Sequence, residues 1–405
     1  MSLQCEKCNK EYKRQHFYLK HIETCQKNEA SETSDIPSSS LSEKKEMGQF
    51  YTTNYDYILQ NFYIPKKEKN IIEPFVGCGH LLKFLERVNP EESFRQTRTY
   101  SQYTIEAYDL KPGKTTCKLD IIIRDTLNNP PSYKNKFILT NPPYLARNKT
   151  ETKELFDKYD TNDLYKCFIK QIIKDPANGG IIIIPLNFWC SIRKSDIELR
   201  KNFLSVYNII KINIFEEKVF DDTSYAICSF LFILKNEPQL HPINVIIYPN
   251  KKEFNIDLNE GNNYTFGGDI YNLPQSKSII VERLTKDNID DNSEFITNIL
   301  VKCIDDNIKS KICLNIVDDA NRYIDNTPKL SARSYATLII KPKLSLDKQQ
   351  KLVELFNTFL NNKRDEYNSL FLTNYRENNT IARKRISFSL VFEIVNYILK
   401  SNDFF

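Results

Sequence analysis

No apolar run in this chain approaches the roughly 20 residues needed to span a bilayer, which excludes a membrane role. Charge of one sign is also missing. The 57 basic and 52 acidic residues leave a net +5, so any surface that binds nucleic acid has to be local. There is no signal peptide, and ten cysteines scattered through such a chain point to a reduced intracellular protein rather than a disulfide scaffold. Internal repeats are absent. Glycine is scarce, with 9 residues in 405, and alongside heavy use of Asn, Ile, Lys and Tyr this reflects an AT-rich coding sequence rather than chemistry. The length allows two or three domains.

What is present is concentrated in four residues, Asn141-Pro142-Pro143-Tyr144, which follow the apolar, strand-like run 137–140 and open into a polar loop. The pattern suits an enzyme that acts on a planar amine. An exocyclic amine conjugated to a ring is a poor nucleophile, so its nitrogen has to be localised before it attacks. The Asn141 side-chain oxygen and the Pro142 main-chain oxygen could accept its two N–H groups and draw the nitrogen toward tetrahedral geometry. Two prolines fix φ and hold that carbonyl without an entropy cost at binding. Tyr144 offers a flat ring, and stacking returns about 1–3 kcal/mol to a base taken out of a duplex.

Upstream, 71–79 reads as a buried strand, Ile71-Ile72, a turn containing Gly77 and Gly79, and a helix through Leu81, Leu82, Phe84 and Leu85. The glycines permit close main-chain approach to a ligand, and Glu73 stands where a carboxylate could reach that ligand's charged or amino groups. The next strand, 103–108, ends at Asp109, where doubly wound folds bind a ribose diol. A third run, 119–123, precedes Asp125-Thr126-Leu127, with Asp125 facing an adenine amino group and Asp120 as the competing acid. Ahead of these stands Gly48-Gln49-Phe50-Tyr51-Thr52-Thr53.

The order Gly48 to Thr52, Glu73 to Gly79, Asp109, Asp125 and Asn141 to Tyr144 resembles S-adenosylmethionine-dependent N6-adenine DNA methyltransferases, over about residues 47 to 235. Too few residues separate Glu73 from Asn141 to hold a target-reading domain, so the arrangement is similar to the gamma class of type II restriction-modification systems. The resemblance implies an α/β, Rossmann-like class I methyltransferase domain over 47–249 and a C-terminal mixed target-recognition domain over 250–405. It implies base flipping and methyl transfer from S-adenosyl-L-methionine to double-stranded DNA at specific sites. By position it directs Tyr51, Thr52, Glu73, Phe75, Gly77, Gly79, Asp109, Asp125, Thr126, Asn141 and Pro143 to the cofactor, and Asn141, Pro142 and Tyr144 to the target base. The family often has proline where Thr53 stands.

Further matches are 179–185, a buried strand of the kind that follows the catalytic strand, and 219–226, a loop carrying a second aromatic for the flipped base. Phe220 is the candidate, with Tyr225 the alternative. No Pro-Cys dipeptide occurs, so the thiol used by cytosine-C5 methyltransferases has no counterpart. Serine in place of Asn141 would have pointed to cytosine N4. Families that methylate RNA adenine or protein glutamine use a similar turn, and the segment 73–75 with the long C-terminal region favours DNA. A degenerate enzyme serving as a DNA-binding scaffold is the remaining alternative, and intact Glu73, Asp109, Asn141 and Tyr144 speak against it.

A second signal occupies residues 1–26. Cys5 and Cys8, then His21 and Cys25, have the spacing of zinc ligands, and Tyr12 and Tyr18 fall where a ββα finger needs bulky core groups. So short a module takes its stability from the metal. Counting back from His21, the helix positions that usually meet bases hold Arg14, Phe17 and Lys20. Because Phe17 cannot read a base edge, phosphate anchoring or a protein partner, such as a companion restriction endonuclease, competes with sequence readout. Residues 27–46 are polar, serine-rich and linker-like. Beyond 250, the apolar spacing of 352–359 and 390–398 predicts helices around a small core. Arg376, Arg383, Lys384 and Arg385 between them form a basic loop suited to DNA, or a solvated one. Residues 248–271 are a second candidate contact loop.

Overall fold

The computed structural model describes residues 3–4, 11–12, 52–87, 103–113, 119–220, 226–239, 241–306, 311–326, 334–375 and 383–405. It divides into two compact units, 1–46 and 47–405. In the first, β1 (Leu3–Gln4) pairs antiparallel with β2 (Glu11–Tyr12), Leu3 opposite Tyr12. These strands bracket Cys5 and Cys8 in sequence. The residues Cys5, Cys8, Arg14, Lys20, His21, Cys25, Tyr51, Tyr225 and Arg376 lie outside the described ones, as do 27–46.

The second unit is organised by a nine-stranded sheet. Its central strands are apolar on successive residues, the pattern of strands covered on both faces, and β-branched isoleucine dominates them. β3 (Asn70–Glu73), β4 (Thr104–Asp109), β5 (Ile121–Ile123), β6 (Phe137–Thr140) and β7 (Gly179–Pro185) run parallel in the order β5-β4-β3-β6-β7. β8 (Tyr207–Phe215) follows, and β9 (Ile227–Leu234) inserts antiparallel between β7 and β8. β10 (Ile243–Tyr248) lies parallel to β8, and β11 (Lys252–Ile256) closes the edge antiparallel to it. The helices of this layer are α1 (Tyr55–Ile58), α2 (Phe84–Arg87), α3 (Glu154–Tyr159), α4 (Leu164–Lys174), α5 (Asn187–Cys190) and α6 (Lys194–Val206). A Cβ on Gly180 would stand 2.7 Å from the Ile138 oxygen, so glycine is what lets β7 close on β6.

From β3 the chain steps to β4 on one side, and it later returns to β6 on the other. That switch opens a crevice beyond the carboxyl ends of β3 and β6, where doubly wound sheets bind ligands. The sheet continues to Ile256, past the boundary expected at 249, because β10 and β11 form a hairpin on its edge.

The C-terminal region is richer in strand than its sequence spacing predicts. β12 (Ile280–Arg283), β13 (Ile296–Lys302), β14 (Cys313–Ile316) and β15 (Tyr335–Lys341) form an antiparallel sheet in the order β12-β15-β13-β14. It packs with the two predicted helices, α7 (Leu346–Glu366) and α8 (Phe388–Ser401), around a core that includes Leu338, Leu352, Phe356 and Ile394. The expected contact loop at 248–271 is instead β11 followed by short helical turns. Arg200, fully buried on α6, fastens them: it donates to the oxygens of Phe188 and Ser191 at 2.7 Å, of Tyr264 at 2.6 Å, and to Thr265 Oγ1 at 2.5 Å. No described helix is long and apolar enough to cross a membrane.

Candidate active site

The crevice is an open cavity with a largely apolar wall interrupted by acidic side chains. Thr52, Glu73, Phe75, Gly77, Asp109, Asp125, Thr126, Asn141 and Pro143 all line it, so the chain brings together nine residues spread over some ninety positions. Gly79 is not among the lining residues. It sits buried at φ 78° with its amide donating to the Val76 oxygen at 2.8 Å, and serves the turn.

The turn is clamped to the neighbouring strand. Asp109, at the end of β4, accepts the Gly77 amide at 2.8 Å and the Lys111 amide at 2.7 Å. Desolvation raises its pKa against those two bonds. Asp125 lines the cavity, whereas Asp120 is exposed and not part of the lining, which favours Asp125 of the two acids. Its oxygens also cap their own turn, accepting from the amides of Leu127 and Asn128 and from Asn128 Nδ2. Thr126 is buried, and its hydroxyl donates to the Pro74 oxygen at 3.0 Å, tying the β5 turn to the β3 turn.

Glu73 is placed differently from a ligand contact reached through solvent. It is 1% exposed, and Oε1 accepts the Thr140 hydroxyl at 2.5 Å and the Phe75 amide at 3.2 Å. Desolvation pushes its carboxyl up to about 8, the two hydrogen bonds oppose the rise, and Asp109 adds to it. Glu73 therefore holds a proton at neutral pH. Thr140 immediately precedes Asn141, so the acid of the cavity and the amide of the Asn141 turn are one hydrogen bond and one peptide apart.

At that turn, Asn141 Nδ2 donates to Thr52 Oγ1 at 3.0 Å. The Tyr144 hydroxyl bonds to Asn141 Oδ1 and lies 2.8 Å from the Ile183 oxygen, so a single proton is shared between two acceptors. The Tyr144 ring is 3% exposed and meets Tyr165 edge-on, with 6.1 Å between centroids. Phe220 is buried as well, at 5%. Neither ring presents a face for stacking in this conformation, because each belongs to the buried core, Tyr144 beside the carboxyl end of β7 and Phe220 in the segment that leads into β9.

Of the basic residues near the C-terminus, Arg383, Lys384 and Arg385 do not lie in an open loop. Arg383, Lys384 and Arg385 form β17 (Arg383–Arg385), paired antiparallel with β16 (Thr373–Tyr375), and all three are half-buried. Arg383 lies 3.6 Å from Asp306. Lys384 lines a small cleft with Leu186 and Glu216 at the carboxyl ends of β7 and β8, and desolvation lowers its pKa. Among the described residues no group of three or more His, Cys, Asp or Glu is placed to hold a metal ion.

Sequence reasoning missed several lining residues, among them Cys78, His80, Leu110 and Arg124. Leu110 follows Asp109 directly and is half-exposed over the cavity; apolar exposure after an acid at a strand end is the signal that could have found it.

A family model described as Eco57I restriction-modification methylase matches residues 2–220, more than half of the chain. Type II methyltransferase M.AccI of Acinetobacter calcoaceticus is 27% identical over 206 residues, 45% of this chain and 36% of that protein, so most of that relative's length has no counterpart in the match. Among solved structures, the M protein of the type I restriction enzyme EcoKI is 16% identical over 56% of this chain and 55% of its own, with TM-score 0.37. A class I S-adenosylmethionine-dependent methyltransferase from Listeria monocytogenes is 14% identical over 47% and 61%, with TM-score 0.34.

Proposed function

We propose that this chain, which belongs to the Eco57I restriction-modification methylase family, transfers a methyl group from S-adenosylmethionine to N6 of an adenine turned out of duplex DNA. The observation that carries this reading is the Asn141-Pro142-Pro143 turn at the end of β6, opening on a cavity that also holds Glu73, Asp109 and Asp125. The donor set fits the cofactor. The carboxylates of Asp109 and Asp125, with Glu73 ionising as the cation binds, suit a ligand that bears hydroxyl and amino groups, and the half-exposed Leu110 suits the face of an adenine. When bound, S-adenosylmethionine supplies a methyl group already activated on a sulfonium. The chain's part is positioning.

In this reading the target amine donates to Asn141 Oδ1 and to the Pro142 oxygen. Tyr144 has to release Asn141 first, and because its proton is shared with the Ile183 oxygen, that release exchanges one hydrogen bond for another of the same kind. Outward rotation of Tyr144, which gives up the Ile183 bond as well, and of Phe220 then gives the base its stacking faces. The hairpin β16–β17 supports target recognition by the region beyond Ile256, since Lys384 reaches the same sheet edge as the catalytic turn. Incubation with labelled S-adenosylmethionine and duplex DNA, RNA or total protein in parallel tests the reading. Label confined to duplex DNA is expected; label in RNA or protein alone would transfer the site to those acceptors.

Glu73 makes the cofactor step proton-linked. A cationic ligand favours its carboxylate form, so binding near neutral pH releases a proton, and affinity strengthens as pH rises to about 8 and then levels. The apoprotein behaves oppositely. Its raised carboxyl gives stability that is complete below about 4.5 and is lost as pH rises through about 8. Isothermal titration in two buffers of different ionisation heat should detect the released proton in the wild type, and Glu73→Gln should abolish it.

Residues 1–26 are proposed as a zinc finger, with Cys5, Cys8, His21 and Cys25 as ligands and the β1–β2 hairpin as its first half. Metal analysis of the purified full chain should find a single zinc, lost on Cys5→Ser together with Cys8→Ser while cofactor binding persists. A zinc-free wild type would remove the finger from the account. DNA backbone or a companion protein is its proposed contact.

A further inference from the structure

The chain that leaves Tyr144 is fastened to the start of α4. The Leu145 amide donates to Asp163 Oδ1 at 3.2 Å, the Leu164 amide donates to the Leu145 oxygen at 3.2 Å, and the Arg147 amide donates to the Asn162 oxygen at 3.0 Å. The first of these bonds alone uses a side chain. Leu164, next to Asp163, lines the proposed cofactor cavity, and Tyr165 after it meets the Tyr144 ring edge-on. The first turn of α4 is therefore the seat on which the end of the Asn141 turn rests.

Asp163 is buried, and Lys166, one turn along α4, is the cation that acts on it. Lys166 Nζ is itself bonded to Asn162 Oδ1 at 2.7 Å and to Asp196 Oδ1 on α6 at 2.6 Å. The other titratable groups that feel the Asp163 charge are Tyr144, Tyr165 and Cys167, all pushed up by burial and so neutral near pH 7. Desolvation pushes the Asp163 carboxyl up to about 6, with Lys166 and the Leu145 amide opposing the rise. Above that pH an anion accepts the Leu145 amide; below it a neutral acid does, in a weaker bond. Resting on the reading of Asn141-Pro142-Pro143-Tyr144 as the turn that grips the target amine, we infer that Asp163 is a positioning residue for methyl transfer. Its carboxylate pins the main chain directly after Tyr144, so that the Asn141 and Pro142 oxygens keep their place while the Tyr144 side chain swings out to the base.

The test follows single-turnover methyl transfer to duplex DNA, at saturating S-adenosylmethionine, between pH 5 and 8 in the wild type and in Asp163→Asn, with thermal melting of both over the same range. Asparagine keeps an acceptor oxygen and removes the charge. The wild-type rate should fall about tenfold as pH drops through about 6, as expected when a charge-assisted hydrogen bond becomes a neutral one. Asp163→Asn should show that low rate across the range, without the fall near 6 and with cofactor affinity at pH 8 unchanged. Glu73 is present in both proteins, so any pH dependence it brings is common to the two. A fall near 6 that survives in Asp163→Asn, or a variant as fast as the wild type at pH 8, overturns the inference while leaving the proposed function in place. A wild-type rate with no fall near 6 overturns it too, even if Asp163→Asn fails to fold. A wild type that transfers no methyl group at any pH overturns the reading of the turn beneath it.

Discussion

Asn141→Ala is expected to lower the turnover number by about 10²–10³ or more, the loss found when one preorganised polar group is removed from a reacting centre. The amine it would hold is a weak nucleophile, and no other side chain of the turn has an oxygen that can replace Oδ1 at that position. The cofactor affinity should change only several-fold. Asn141 touches the cavity wall and bonds to Thr52, whereas the three carboxylates that suit the cofactor stand on other turns. Comparison of turnover with the cofactor dissociation constant separates the two effects. Full activity in this variant would sink the catalytic assignment.

Arg200→Met is expected to destabilise the chain by about 3–5 kcal/mol, measured as a lower urea midpoint. The guanidinium is wholly buried, with no carboxylate among its bonded partners. Its charge is balanced by carbonyl dipoles from α5, from the turn before α6 and from 263–265. Burial lowers its pKa to about 10, which measures the cost of keeping it there. Methionine fills the volume and leaves those oxygens without donors. Lysine should rescue little, because a single ammonium cannot span acceptors arranged for a planar fork. Since these bonds fasten the segment entering the C-terminal sheet, DNA affinity should fall in the variant while cofactor affinity holds.

The parts of the fold legible in the sequence were those with two covered faces. β3, β6, β7 and β9 are continuous apolar runs, and the turns after β3 and β6 carry residues with a mechanism of their own, glycine in one and Asn-Pro-Pro in the other. β8 and β10 mix asparagine and lysine into the run, as in Ile210-Lys211-Ile212-Asn213, because Asn213 satisfies the oxygens of Ile58 and Gln60 inside the fold. Polar residues with buried partners hide a strand from any pattern based on hydropathy. In the C-terminal sheet β12 and β13 alternate in burial, and β12 exposes Ile280 as freely as a loop would.

The site divides in the same way. Residue types announced Asn141, Asp109 and Asp125, while direction did not follow from type. Nothing in Asn141-Pro142-Pro143-Tyr144 tells that the tyrosine turns inward to bond its own asparagine, since that depends on Ile183 standing one strand away. Likewise nothing in the residue type of Glu73 tells that its carboxyl is buried 2.5 Å from the Thr140 hydroxyl.

The measurement that bears most directly on the central claim is nucleoside analysis of duplex DNA after incubation with the full chain and labelled S-adenosylmethionine. Label in N6-methyladenine, absent with Asn141→Ala, is the predicted result; label in N4-methylcytosine, or unlabelled DNA beside demonstrable cofactor binding, would contradict it.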